Sequence, residues 1–127
     1  WVVDPVGFRY TLRKVYERYQ LPILITENGI GANDTLESDG SIHDQYRIDF
    51  IQKHLHQMRL AITDGVEMLG YCPWAAIDVV STHQGYKKRY GFIYVDRDEF
   101  DLKELKRYKK DSFYWYKQTI EENGKNI

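Results

Sequence analysis

The chain has 127 residues, 43% of them apolar and 15% aromatic, enough for one hydrophobic core and too few for two domains. Its 18 basic and 19 acidic side chains leave a net charge of -1, so no overall field draws it to nucleic acid or to an anionic membrane surface. Cys72 is the single cysteine, which excludes an internal disulfide and a cysteine-built metal cluster, and no apolar run approaches the roughly 20 residues that span a bilayer. With no basic-then-apolar segment at the N-terminus either, the expected setting is reducing and cytoplasmic.

Val6, Tyr10, Leu12, Val15, Tyr16 and Tyr19 recur at near-helical spacing, and Asp4 precedes Pro5 as an N-cap before a proline in the first turn. A helix over 5–19 follows. Ile23-Leu24-Ile25-Thr26 is apolar without alternation, as in a parallel strand covered on both faces, and it ends in Glu27. Gly29, Gly31, Asn33, Asp34, Asp39 and Gly40 then punctuate an irregular loop over 28–44, and loops of that length often carry function.

Ile48, Ile51, Leu55, Met58 and Ile62 form the apolar stripe of a second helix, from about 45 to 63, which Asp64-Gly65 stops. Residues 66–77 are largely apolar and predict another buried strand, made irregular near its end by Gly70 and Pro73. The loop Ser81-Thr82-His83-Gln84-Gly85-Tyr86-Lys87-Lys88-Arg89-Tyr90-Gly91 comes next. In it a serine hydroxyl, a lysine charge and a phenol, at 81, 88 and 90, are donors suited to the clustered oxygens of a phosphate on a sugar. Lys87 and Arg89 are expected to face solvent or to add to the local field. Residues 92–95 alternate into an Asp96-Arg97-Asp98 turn, a short ribbon, and a last helix is expected over 105–121, with Asn123-Gly124 ending it.

The order is that of parallel βα units, so the fold class is α/β. Two strands and three helices cannot close a parallel barrel, and strands covered on both faces need neighbours that these residues do not supply. The expectation is one incomplete domain over 1–127, cut before Trp1, whose uncovered edges would promote self-association when it is made alone.

Thr26-Glu27-Asn28-Gly29, Asp44-Gln45-Tyr46-Arg47-Ile48, Pro73-Trp74-Ala75-Ala76-Ile77-Asp78 and Lys88-Arg89-Tyr90-Gly91-Phe92-Ile93-Tyr94-Val95-Asp96 together resemble the C-terminal part of family 1 glycoside hydrolases. The resemblance is greatest to the bacterial 6-phospho-β-glucosidases and runs from Trp1-Val2-Val3-Asp4-Pro5 to the closing aromatic helix. It implies a C-terminal portion of a (β/α)8 TIM barrel, about strands 7 and 8 with flanking helices, completed by the remaining N-terminal part of the barrel. Sites in such barrels lie at the C-terminal ends of the strands, where Glu27 and Ser81 fall.

By the same resemblance Glu27 is the nucleophile of a retaining glycosidase, in which a second carboxyl group acts as acid and base. The family's acid/base glutamate belongs to an Asn-Glu-Pro motif, which this sequence does not contain. The chain alone is therefore expected to be inactive. Trp74 would be the aromatic floor under the sugar ring. Relatives that use unphosphorylated sugars carry glutamate where Ser81 stands and tryptophan where Thr82 stands, and a carboxylate there would repel a 6-phosphate. Ser81, Lys88 and Tyr90 would bind that phosphate. Thr82 points to gluco rather than galacto substrates, because the galacto-specific relatives follow the serine with tryptophan.

The implied substrate is a phosphorylated disaccharide, such as cellobiose 6-phosphate, or an aryl-glucoside phosphate. A broader phospho-glycosidase that also accepts galacto substrates and a noncatalytic phosphosugar-binding or structural fragment are the competing readings. No metal or other cofactor is implied. His43, His54 and His56 lack partners at metal-ligand spacing, and residues 113–116 lack the basic stripe of a base-stacking surface. Asp44 and Arg47 are read as orienting the loop and the helix start.

Overall fold

A computed structural model describes residues 2–127; Trp1, which opens the resembling stretch, lies outside them. In chain order the elements are α1 (Pro5–Tyr19), β1 (Ile23–Asn28), α2 (Gln45–Thr63), β2 (Met68–Pro73), β3 (Ile93–Val95), β4 (Arg107–Lys109) and α3 (Asp111–Glu121). The Asp4 carboxylate accepts the Gly7 N–H at 2.8 Å, satisfying one of the donors a helix start leaves over, and Gln20 ends α1 in the left-handed region at φ 50°. Both ends of α2 match the apolar periodicity.

Strands β1 and β2 are parallel, with Ile23 opposite Met68, Ile25 opposite Tyr71 and Asn28 opposite Pro73, and α2 makes the crossover between them. The C-terminal ends of both strands therefore lie side by side. Leu12, Ala61 and Val66 make one core beneath them, with Ile23, Ile25 and Met68 packed against it; Ile51, Leu55 and Phe92 make a second, which Tyr71, Phe113 and Tyr116 extend. The cover on both faces expected of these strands is not supplied within the described residues: Leu24 and Leu69 are 48% and 67% exposed. The helices cover one face of a strand pair whose side chains alternate between faces. No helix among the described residues is long and apolar enough to cross a membrane.

The last helix begins at Asp111 and not at 105. Lys103 and Leu105 have positive φ, 47° and 53°, which breaks any helix there, and Arg107–Lys109 pair antiparallel with Ile93–Val95 instead. Leu105 and Tyr108 extend the apolar spacing of the helix backwards, but the strand pairing with residues 93–95 outweighs local periodicity.

His54 is buried, its ring 4.0 Å from that of Phe50 and 5.3 Å from that of Phe8. Its Nδ1 stands 2.7 Å from the Phe50 carbonyl oxygen, to which a protonated Nδ1 donates. Burial lowers its pKa, against the opposing pull of that carbonyl and of Asp4. On acidification the unfolded chain takes up this proton first, so stability falls as pH drops from about 6.5 through the lower folded pKa. His43, exposed and 2.7 Å from Asp111, is shifted the opposite way, mainly by that hydrogen bond, and its contribution is lost as pH rises. We expect the thermal midpoint to fall across the acidic window and His54→Gln to flatten that fall; a slope unchanged by His54→Gln would refute this assignment.

Candidate active site

Glu27 is exposed on β1, one residue before the strand ends, and Trp74, 41% exposed, directly follows β2. Parallel pairing brings the two ends together, and the Trp74 N–H donates to the Asn28 carbonyl at 2.8 Å. The Tyr71 phenol, held protonated by burial, donates to Asn28 Oδ1 at 2.8 Å, so the residue beside Glu27 is fixed through its side chain as well. Gly29 permits this contact: a Cβ there would lie 1.9 Å from the Trp74 carbonyl oxygen.

The loop over 28–44 then runs against the loop over 78–91. Ala32 and Arg89 exchange backbone hydrogen bonds at 3.1 and 2.8 Å, and Gly31 approaches the face of Tyr90, where a Cβ would stand 2.6 Å from the ring. The Ala75 N–H donates to the Tyr90 carbonyl at 3.0 Å, tying the same segment to the end of β2. One polypeptide surface thus carries both sequence motifs.

Ser81, Lys88 and Tyr90 line a single groove of about 470 Å³, together with His83 and Gln84. Ser81 is buried and opens a tight turn: it exchanges backbone hydrogen bonds with Gly85 at 3.0 and 3.1 Å, and its Oγ accepts the N–H groups of His83 and Gln84 at 3.4 and 3.3 Å. An oxygen that accepts from two N–H groups keeps its own proton to donate. The Lys88 Nζ stands 5.6 Å from the Tyr90 ring centroid, so charge and phenol are close neighbours. Thr82 is exposed, with its Oγ1 2.9 Å from His83 Nδ1. Glu27 and Trp74 are not among the residues that line this groove; they stand at the strand ends, linked to it through Gly29, Gly31 and Ala75. Among the described residues no group of three His, Cys, Asp or Glu could hold a metal ion.

Behind the groove lies a buried ion network that the sequence reading missed. Lys110 Nζ bridges Asp34 at 2.6 Å and Asp78 at 2.7 Å; Arg47 pairs with Asp34 at 3.1 Å and with Asp44; Arg89 pairs with Asp78 at 3.1 Å. Each of these side chains is at most 7% exposed, and three carboxylates balance three cations. Burial, and next the Arg47 charge, push the Lys110 pKa down against the pull of Asp78 and Asp34. Burial also acts to lower Arg47, but Asp34, Tyr46 and Asp44 together raise it. Asp44 further accepts the Ser112 N–H at 2.9 Å, fastening the start of α3 to the start of α2. Of the two alternatives expected for Arg89, facing solvent or adding to the local field, the first is excluded: it is buried, because neighbouring side chains in an extended segment point to opposite sides and Lys88 and Tyr90 take the groove side.

Residues 1–125 match the model of the family described as glycosyl hydrolase family 1. Over its whole length the chain is 53% identical to the aryl-phospho-β-D-glucosidase BglC of Bacillus subtilis and 51% identical to the phospho-cellobiase of Klebsiella oxytoca, covering 26% and 28% of those proteins. Among solved structures, the β-glucosidase from Thermotoga maritima in complex with glucoimidazole is similar over 98% of this chain and 27% of its own, with a TM-score of 0.89 at 41% identity. The chain therefore spans about a quarter of the length of the relatives it matches, and its fold is that of part of their TIM barrel.

Proposed function

The chain belongs to glycosyl hydrolase family 1, and from that premise we propose that it supplies strands 7 and 8 of the barrel of a retaining 6-phospho-β-glucosidase. Glu27 attacks the anomeric carbon from the end of its strand, forming a glycosyl-enzyme ester as the aglycone leaves. Water then releases the sugar. The proton for the leaving oxygen comes from a second carboxyl group, held about 5 to 5.5 Å from the nucleophile in retaining enzymes. That group would stand on the remaining part of the barrel, since this chain has no Asn-Glu-Pro sequence.

The observation that carries this reading is the single groove in which Ser81, Lys88 and Tyr90 meet. A hydroxyl donor, a phenol and an ammonium suit a dianionic phosphate ester, and a carboxylate in place of Ser81 would oppose it. The whole-length likeness to proteins named as phospho-glucosidases supports the same substrate class, phosphorylated β-glucosides of the aryl or cellobiose type. Trp74 offers an exposed aromatic face for the sugar ring, and Thr82 leaves the site suited to gluco substrates.

The test compares 4-nitrophenyl β-glucoside 6-phosphate with 4-nitrophenyl β-glucoside, using the full-length polypeptide that carries this sequence and the 127-residue chain by itself. We expect the full-length protein to cleave the phosphorylated compound selectively and the chain alone to cleave neither, because losing a general acid or base costs about 100-fold to 10,000-fold even with the rest of a site intact. Preference for the plain glucoside would remove the phosphate assignment of Ser81, Lys88 and Tyr90. Turnover by the chain alone would remove the requirement for a partner carboxylate.

A further inference from the structure

We infer that Arg89 and Glu99 are positioning residues for phosphate selectivity, an inference that rests on reading Ser81, Lys88 and Tyr90 as the phosphate site. Those three side chains span ten positions of one loop, and a loop of that length holds a common geometry only if it is fastened from behind. Arg89 fastens one end. Its guanidinium donates to Asp78 at 3.1 Å, to the Val95 carbonyl at 2.8 Å and to the Arg97 carbonyl at 2.8 Å, and it lies 4.0 Å from the Tyr94 ring centroid. Asp78 also accepts the Gly91 N–H at 2.9 Å, so one carboxylate joins the two stems of the loop, three residues before Ser81 and one residue after Tyr90. Because Arg89 stands between Lys88 and Tyr90, its direction sets theirs.

Glu99 fastens the turn. Its carboxylate accepts the Tyr86 N–H at 2.7 Å and fills the space where a Cβ on Gly85 would be, 2.1 Å from its oxygen. Gly85 has φ 58°, so the absence of a side chain serves both the turn and the carboxylate. The Arg97 guanidinium covers the Tyr86 ring at 3.5 Å and donates to the Glu99 carbonyl at 3.1 Å, which closes this side of the loop. A negative charge near a site for a dianion weakens binding by electrostatics alone. Its presence there is accounted for by the geometry it imposes on the backbone.

This gives the test a sign. In the full-length polypeptide carrying this chain, KM and kcat are measured on the phosphorylated and plain 4-nitrophenyl glucosides for the unmodified protein, Arg89→Lys, Glu99→Ala and Glu99→Gln. We expect KM for the phosphorylated compound to rise about tenfold in Arg89→Lys and Glu99→Ala, with kcat and the plain substrate changed less than about twofold. Glu99→Gln keeps a carbonyl acceptor for the Tyr86 N–H and should restore KM. Pure electrostatics predicts the reverse for Glu99→Ala, a lower KM for the dianion. That result, or equal effects on both substrates, overturns the inference and leaves the phosphate site standing. If Arg89→Lys fails to fold, Glu99→Ala, outside the buried network, decides alone. A preference of the unmodified protein for the plain glucoside sinks the phosphate reading and this inference with it.

Discussion

Replacing Glu27 by glycine should lower hydrolysis of the phosphorylated glucoside by roughly 10⁴-fold or more in the full-length polypeptide, since a residue that forms the covalent intermediate acts as one unit with its partners. The side chain is exposed, on a strand whose pairing and core contacts come from Ile23, Ile25 and Asn28, so the thermal midpoint should barely move. Added azide tests the role itself. A small anion entering the space left by the carboxylate would displace the aglycone in a single step and yield a glycosyl azide of inverted configuration. Recovery of turnover with that product identifies the nucleophile. A folded variant with ordinary activity, or one that azide rescues only as free sugar of retained configuration, would exclude it.

The largest effect on stability is expected at Lys110. Its ammonium is fully buried between Asp34 and Asp78, and removing one partner of a buried, hydrogen-bonded ion pair typically destabilises a protein by about 3–5 kcal/mol, because a desolvated charge is left uncompensated. Lys110→Met leaves three carboxylates facing two cations, Arg47 and Arg89. In the full-length polypeptide the thermal midpoint should fall by roughly 5 °C or more. Adding Asp78→Asn restores the balance of charge, two against two, so the double variant should lose less than the sum of the single changes. Strict additivity would mean that the two groups contribute independently and that the network is not a unit. The network joins residues from the loop over 28–44, the start of α2, the end of the chain segment after β2 and the start of α3, so its loss should also loosen the groove.

The site was legible in the sequence only where its geometry is local. Asp78 could be noticed, as a carboxylate ending the long apolar run over 66–77, and Arg89 by its place between two groove-facing residues. Neither signal says which way a side chain points. Glu99 carried no signal at all, since it looks like one acid in an exposed acidic turn, and its role appears only where its carboxylate meets Tyr86 from 13 residues away.

From sequence alone came α1 with its Asp4 cap, α2 with both ends, the core segments of β1 and β2, the long loop between β1 and α2, and the placement of Glu27 at a strand end. These follow from capping, periodicity and turn chemistry, which act over about four residues and are written in neighbouring letters. Tertiary structure decided the rest. That β2 stops at Pro73, leaving Trp74 just beyond it and not inside a strand running to 77, came from the structure. Arg107–Lys109 became a strand because residues 93–95 were there to pair with it, and Lys110 became a buried cation because Asp34, 76 residues earlier, and Asp78 closed around it. Long-range pairing of charges overrides both the usual exposure of lysine and the helical spacing that runs through these residues, since a buried ion is tolerated only where its partners have already been brought together by the fold.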